Sequence, residues 1–271
     1  MLRLNVMALS NSYCIMVSYL APVRDSEHEG NTRGRIVRRG RSVEEDRAIM
    51  SYFDEFYSAG RAREHLPSGW EDARKVTSIL VDATTPKDGF TADHATEVAR
   101  LSRLVGMDLG MNEEELEWLV HGALLHDLGK LGVSDEILGK PGALTQEEWA
   151  LVKRHSEIGA RMIEPLETLS RAVPVLRHHH ERPDGTGYPD GLEGDEIPLA
   201  ARIVAAVDAY DVMLRRRHYR HERYQPKSSP AEALEELRRE AGRQFDARIV
   251  EAMGRLLGDP KTSSSDPPRP L

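Results

Sequence analysis

The sequence predicts an all-α protein. From about residue 42 onward, apolar residues recur at helical spacings, and no alternating strand pattern of any length occurs between Glu44 and Leu257. Residues that cap helices, among them Asn112 and Thr145, stand directly before two of these periodic runs. The chain has 271 residues, of which 39% are hydrophobic and 30% are charged. It can therefore bury one core and at most a small second module.

Two helices are predicted in the first half of the bundle. The first follows Thr91, and its apolar face runs through His94, Val98, Leu101 and Val105. The second follows Asn112 and should end at Gly129, and its face runs through Leu116, Val120, Ala123 and Asp127. A histidine and an aspartate are thus expected to point where the apolar residues point.

Two further helices are predicted in the second half. Thr145 and Glu148 form a T-x-x-E capping box at the start of one of them. Its inward side is expected to carry Trp149, Val152, His155, Gly159 and Met162. The other helix covers residues 197–214, with Ala201, Val204 and Asp208 on one stripe. Each helix again brings a polar side chain onto an apolar face.

The two ends of the chain are expected to lie outside the bundle of residues 76–257. Residues 1–75 form a poorly defined N-terminal segment, in which a helix over residues 44–66 either mediates a homodimer contact or packs on the core. Residues 258–271 are rich in proline and serine, so we expect a disordered tail.

Charge and cysteine content exclude several classes of protein. The 37 lysines and arginines are outnumbered by 45 aspartates and glutamates, for a formal net charge of -8, so binding of duplex nucleic acid is not expected. Cys14 is the single cysteine, which excludes an internal disulfide framework and agrees with a cytoplasmic protein. Polar residues interrupt residues 2–23, so no membrane span is expected there.

Histidines are concentrated in the predicted core. Seven of the eleven lie in one stretch: His94, His121, His126, His155, His178, His179 and His180. A single histidine on an apolar face is usually a hydrogen-bonded core residue. Several of them, together with Asp127 and Asp208, would leave many polar groups desolvated unless they shared a partner. A metal centre is the simplest such partner.

Two segments carry most of this chemistry. In L-L-H-D-L-G-K, Lys130 follows the pair His126-Asp127 on the same side, where it either binds a phosphate oxygen or complements the helix dipole. In H-H-H-E-R-P-D-G-T-G-Y-P-D-G-L, residues 178–192, one or two of the three consecutive histidines should be ligands. The glycines and prolines that follow predict a loop whose backbone can approach a ligand.

The motifs H-D-L-G-K, K-R-H-S-E-I-G, H-H-E-R-P-D-G-T-G-Y-P and A-A-V-D-A-Y-D-V-M occur in this order. They resemble the HD-GYP branch of the HD superfamily of metal-dependent phosphohydrolases, over residues 76–255. The resemblance implies an HD-domain helical bundle around a dinuclear metal site. It also implies a phosphodiesterase in bacterial signalling that hydrolyses cyclic di-GMP to pGpG, or onward to GMP.

The resemblance also implies roles for individual residues. The expected metal ligands are His94, His126, Asp127, His155, His179, His180 and Asp208, with Asp127 bridging two ions. The expected substrate contacts are Lys130 at the scissile phosphate, Arg217, Arg220, Asp184, Gly185 and Tyr188. The two arginines otherwise belong to a solvated basic turn. Phe90 stands where members with a third metal carry a glutamate, so we expect two metals.

An imidazole-rich ligand set favours transition metals over magnesium or calcium. Iron is the first choice, and manganese, nickel, cobalt and zinc are alternatives. The expected partners are a cyclic dinucleotide and signalling proteins such as those of the GGDEF type. Two other hypotheses stay open: a phosphohydrolase for another nucleotide, and an inactive sensor that binds a dinucleotide or a metal.

Overall fold

The computed structural model describes residues 69–88, 92–214 and 228–258. These residues form α-helices and short 3₁₀ helices and contain no β-strand, which confirms the predicted all-α class. In chain order the α-helices are α1 (Trp70–Asp88), α2 (Ala92–Asp108), α3 (Glu113–Leu125), α4 (Asp135–Leu138), α5 (Gln146–Lys153), α6 (His155–Ile163), α7 (Val173–His178), α8 (Leu199–Leu214), α9 (Pro230–Arg239) and α10 (Ala247–Leu256). In the described ranges the 3₁₀ helices are Leu128–Gly132, Glu167–Ala172 and Gly194–Glu196.

Some predictions fall outside these ranges. They concern the helix over residues 44–66, the tail after residue 258, Phe90, Arg217 and Arg220. Within the described part of the chain, no helix is long and apolar enough to cross a membrane.

The core lies where α2 packs against α3 and α8. Leu119, Ile203 and Val204 are fully buried there, and full burial of an aliphatic side chain of this size stabilises the fold by about 1.5 to 3 kcal/mol. Helix α1 packs on α3 through the rings of Trp70 and Trp118, whose centroids are 5.0 Å apart. A smaller apolar cluster lies between α4 and α5.

Capping boxes set the beginnings of the helices. The backbone N–H of Glu148 donates to Thr145 Oγ1 at 3.2 Å, and the N–H of Thr145 donates to the Glu148 carboxylate at 2.8 Å. This confirms the predicted box. Asn112 and Glu115 form the same reciprocal pair at the start of α3. Each box satisfies backbone donors that the first helical turn leaves without a partner.

Three predicted boundaries are wrong. Helix α3 ends at Leu125, so Gly129 does not end it and lies in the following 3₁₀ helix. The helix that begins after Thr145 breaks at Arg154 into α5 and α6, and this turns Met162 outward, where it is 39% exposed. The last predicted helix begins at Leu199, because Pro198 disfavours a helical conformation of the residue before it, and Ile197 is extended.

Gly129 has a packing role. A Cβ at this position would lie 1.8 Å from the backbone oxygen of His155 and 2.5 Å from the backbone nitrogen of Gly159. The 3₁₀ helix and α6 therefore touch backbone to backbone, and only glycine fits between them. This approach brings the segment after His126 next to His155.

Gly129→Ala should lower the free energy of unfolding by about 3 kcal/mol, because rigid backbone must move to make room for the methyl group. Chemical denaturation checks this. Gly132→Ala, in the same 3₁₀ helix, is the control, since its Cβ would meet only side-chain atoms of Ile158, with Cδ1 and Cγ2 at 3.0 Å, and no backbone. Equal losses in the two variants would contradict the argument.

Candidate metal centre

Six side chains bring nitrogen and oxygen donors together in two groups. The first donor group is His94 from α2, His126 at the end of α3, and Asp208 from α8. The second donor group is His155 at the start of α6 with His179 and His180, which follow α7. Within each group the donor atoms lie within 4.8 Å of one another. The fold thus gathers residues that are far apart in the sequence.

Asp127 lies between the two donor groups. Its Oδ2 is 3.4 Å from Nε2 of His126, and its Oδ1 is 3.6 Å from Nε2 of His155. The residue stands in the break between α3 and the 3₁₀ helix, which turns its carboxylate toward both groups. A carboxylate with one oxygen near each group is suited to bridge two ions.

Backbone carbonyls orient three of the imidazoles. Nδ1 of His126, His155 and His179 donates to the carbonyl oxygen three residues earlier, at 2.7, 2.7 and 2.9 Å. Because Nδ1 carries a proton in this arrangement, Nε2 presents a lone pair whenever the ring is neutral. Metal-binding histidines are commonly held in this way.

The Nε2 atoms in the second donor group face one another. Nε2 of His155 is 3.3 Å from Nε2 of His179 and 3.2 Å from Nε2 of His180. Burial lowers the pKa of His155 to about 4 and that of His179 to about 3, so both rings are neutral near pH 7. The Nε2 atoms of two neutral rings cannot hydrogen-bond to each other when each ring already donates its only proton from Nδ1 to a backbone carbonyl. A cation between them removes the repulsion, so these residues fit a metal ion.

The first donor group attracts positive charge in a different way. Burial acts to lower the pKa of His126, but the charges of Asp127 and Asp208 raise that pKa to about 9. Nε2 of His126 is buried and accepts or donates no hydrogen bond within the described part of the chain. A metal ion would supply the positive charge that the two carboxylates favour, and it would take the lone pair of Nε2.

The sequence prediction missed Asp211. Its Oδ2 lies 2.6 Å from Nδ1 of His94, and both side chains are buried. The other ring nitrogen of His94 lies 3.3 Å from Oδ1 of Asp208. The D-A-Y-D spacing was the available signal, since residues three apart share a helix face.

Two predicted substrate residues lie beside the donor groups. Nζ of Lys130 is 2.8 Å from Oδ2 of Asp127. Burial opposes ionisation of Asp127, but the charges of Lys130 and His126 hold its pKa well below the usual range. The Tyr188 ring stacks on His180, with centroids 4.8 Å apart and an interplanar angle of 26°.

Other predicted residues lie away from the donor groups. Asp184 accepts hydrogen bonds from Arg182 and from the backbone of Thr186, and Gly185 takes a positive φ of 72° in the same loop. His178 faces Asp190, with Nδ1 3.6 Å from Oδ2. Two of the three consecutive histidines therefore contribute to the second donor group.

Glu181 holds the loop against the histidine segment. Its buried carboxylate accepts from the backbone N–H groups of Asp190, Gly191 and Leu192 at 2.7 to 3.1 Å. Gly187 allows the loop backbone to lie directly against the backbone of Glu181, since a Cβ at position 187 would lie 2.4 Å from Cα of Glu181. The loop is thereby closed so that Tyr188 reaches His180.

Mn²⁺ should raise the thermal unfolding temperature of the wild type, because an ion that binds only the folded state stabilises it by about 2.7 kcal/mol at 100 times its Kd. His155→Gln should reduce this shift. His121→Gln is the control, because His121 is equally buried but contacts Thr77 Oγ1 at 2.8 Å and belongs to neither donor group. An equal Mn²⁺-dependent shift in both variants would argue against metal binding by His155.

Comparison with known proteins gives consistent matches. The HD domain family model matches residues 77–249. The cyclic di-GMP phosphodiesterase response regulator RpfG of Xanthomonas campestris is 38% identical over 206 residues, which are 73% of this chain and 53% of that protein. The 3'3'-cGAMP-specific phosphodiesterase 3 of Vibrio cholerae is 42% identical over 164 residues, covering 59% of this chain and 35% of the relative. The chain thus spans about half or less of the length of these relatives.

Solved structures share the fold. The cyclic GMP-AMP phosphodiesterase V-cGAP3 of V. cholerae superposes with a TM-score of 0.52 at 22% identity, covering 69% of this chain and 50% of that one. The HD-GYP-type protein Bd1817 of Bdellovibrio bacteriovorus gives 0.53 at 19% identity, covering 79% and 70%. HD domains are metal-dependent, which agrees with the two donor groups. Because the family match covers well over half of the chain and includes every residue of both donor groups, the chain belongs to the HD domain family.

Proposed function

We propose that this protein is a metal-dependent phosphodiesterase that hydrolyses cyclic di-GMP to pGpG. The observation that carries the proposal is the pair of donor groups with the Asp127 carboxylate between them. Relatives named as cyclic di-GMP phosphodiesterases, at 37% to 38% identity, support the choice of substrate.

We assign the metal ligands as follows. One ion would be held by His94, His126 and Asp208 and the other by His155, His179 and His180, and the Asp127 carboxylate would contribute to both. Five imidazoles favour a transition metal, with iron as the first choice and manganese, nickel, cobalt or zinc as alternatives. Bound at these positions, two such ions lower the pKa of water and offset the negative charge of a phosphodiester.

Lys130 is the residue that we assign to the scissile phosphate. Its side chain is 15% exposed, and its Nζ lies 2.8 Å from Oδ2 of Asp127 at the edge of the donor groups. A lysine in this position stabilises the negative charge that develops on the phosphate oxygens as the ester bond breaks. The same ammonium keeps Asp127 ionised and ready to bind cations.

Tyr188 is proposed as a contact for a guanine base. Its ring is held on His180 by stacking and lies near Nζ of Lys153, which is 5.0 Å from the ring centroid. An aromatic ring at the edge of a phosphodiester site can stack on a nucleobase. Asp184, Gly185, Arg217 and Arg220 are kept as predicted substrate contacts on the sequence resemblance alone.

The principal product should be pGpG, because Phe90 stands where relatives with a third metal carry a glutamate. A cytoplasmic location, GGDEF-type partners and a homodimer are predictions from the sequence. A second candidate substrate is 3'3'-cGAMP, which is favoured by the 42% identity to a phosphodiesterase named for that compound.

The proposed function predicts metal-dependent release of pGpG. The full chain is purified without oxygen, analysed for metal, and incubated separately with cyclic di-GMP and 3'3'-cGAMP, with chromatographic identification of the products. A double variant His126→Ala, Asp127→Ala should release none. Hydrolysis of 3'3'-cGAMP alone would show that the second candidate is the substrate. Hydrolysis of neither compound by the metal-loaded protein would overturn the proposed function.

Lys130→Ala should lower kcat by about 100-fold, in the range observed when one preorganised donor to a developing negative charge is removed. Lys140→Ala is the matched control, because Lys140 forms its ion pair with Glu148, whose other contacts are at the N-terminus of α5. Initial rates at saturating substrate, with bound metal measured for each variant, check this. Unchanged kcat in Lys130→Ala would remove the lysine from the mechanism.

A further inference from the structure

The imidazoles of the two donor groups are supported differently. His126, His155 and His179 each follow a helical turn, so the carbonyl three residues earlier accepts from Nδ1. His94 is the third residue of α2. Its Nδ1 instead contacts Asp211 of α8, 117 residues further along the chain. Tertiary packing therefore replaces local geometry at His94.

Helix α8 engages both nitrogens of the same ring. Oδ2 of Asp211 lies 2.6 Å from Nδ1 of His94, and Oδ1 of Asp208 lies 3.3 Å from its Nε2. The His94 and Asp211 side chains are 2% and 5% exposed, so water does not compete effectively for their contact. A carboxylate on Nδ1 fixes the tautomer and makes Nε2 a stronger donor to a metal.

The two donor groups also differ in charge. The first contains the Asp208 carboxylate and is supported by Asp211, whereas the second consists of three histidines. Asp127 lies near both groups. A divalent cation is therefore attracted more strongly to the first group than to the second.

We propose that Asp211 is a positioning residue for His94, and that through it the first donor group becomes the tighter of two metal-binding positions. The inference rests on the proposed dinuclear centre but not on the identity of the substrate. Two ions should bind in sequence, and loss of Asp211 should weaken the first binding event while the second donor group keeps its affinity.

The test is titration of the metal-free full chain with Co²⁺, followed by its visible absorption and by competition with a chelator. The wild type should bind two ions, one more tightly. Asp211→Asn keeps nearly the same side-chain shape but removes the charge, so it should lower the Co²⁺ affinity of the tighter position about 10-fold. Asp211→Ala should lower that affinity by up to about 100-fold. Asp211→Glu keeps the carboxylate and should recover most of the affinity.

Asp246→Asn is the matched control for loss of a buried carboxylate. Asp246 is 8% exposed and pairs with Arg202 at 2.7 Å, so its substitution should destabilise the fold without changing either Co²⁺ affinity. His180→Ala should instead weaken only the weaker position. Thermal unfolding of each metal-free variant separates a loss of folding from a loss of binding.

Several outcomes would overturn the proposal. Wild-type affinities in Asp211→Asn would show that the carboxylate does not support His94. A loss in Asp211→Glu equal to that in Asp211→Asn would show that the carboxylate charge does not restore the affinity, and this variant also decides the question if Asp211→Asn fails to fold. A wild type that binds two Co²⁺ ions but cleaves no cyclic dinucleotide would overturn the proposed function and leave the role of Asp211 intact.

Discussion

The fold of the domain brings the buried imidazole nitrogens of the second donor group together, and His155 and His179 have no proton between them. Nε2 of His155 lies within 3.3 Å of the same atom in His179 and in His180, and the Nδ1 protons of His155 and His179 are already donated to backbone carbonyls. Such a cluster is unfavourable in an apolar core unless a cation is shared. The helices that carry these histidines therefore pack around a candidate metal centre.

Close backbone approach makes that centre possible. Gly129 allows the 3₁₀ helix to touch α6, which brings Asp127 to His155. Gly187 allows the loop after the histidines to lie on Glu181, which accepts three backbone hydrogen bonds and keeps the loop closed. In both places glycine, which has no side chain, allows two segments of backbone to come into direct contact. Stability and function thus depend on the same contacts.

The two donor groups have unequal surroundings. One is rich in carboxylate and supported across the core by Asp211, and the other is built from histidines, two of which are supported by backbone carbonyls. Asp127 joins them, and Lys130 holds that carboxylate charged. Membership of the HD domain family agrees with a hydrolytic role for such a pair. The first donor group therefore offers a divalent cation more negative charge than the second.

Local patterns determined much of this protein. Helical spacing predicted the all-α class, Thr145 with Glu148 predicted a helix start, and the H-D and H-H-E segments carried the donors. Only the tertiary structure decided that α3 stops at Leu125, that His178 turns away from the second donor group, and that Asp211 supports His94. The physical reason is range: caps and periodicity act within a turn or two of helix, whereas backbone contacts and buried ion pairs join residues that are distant along the chain.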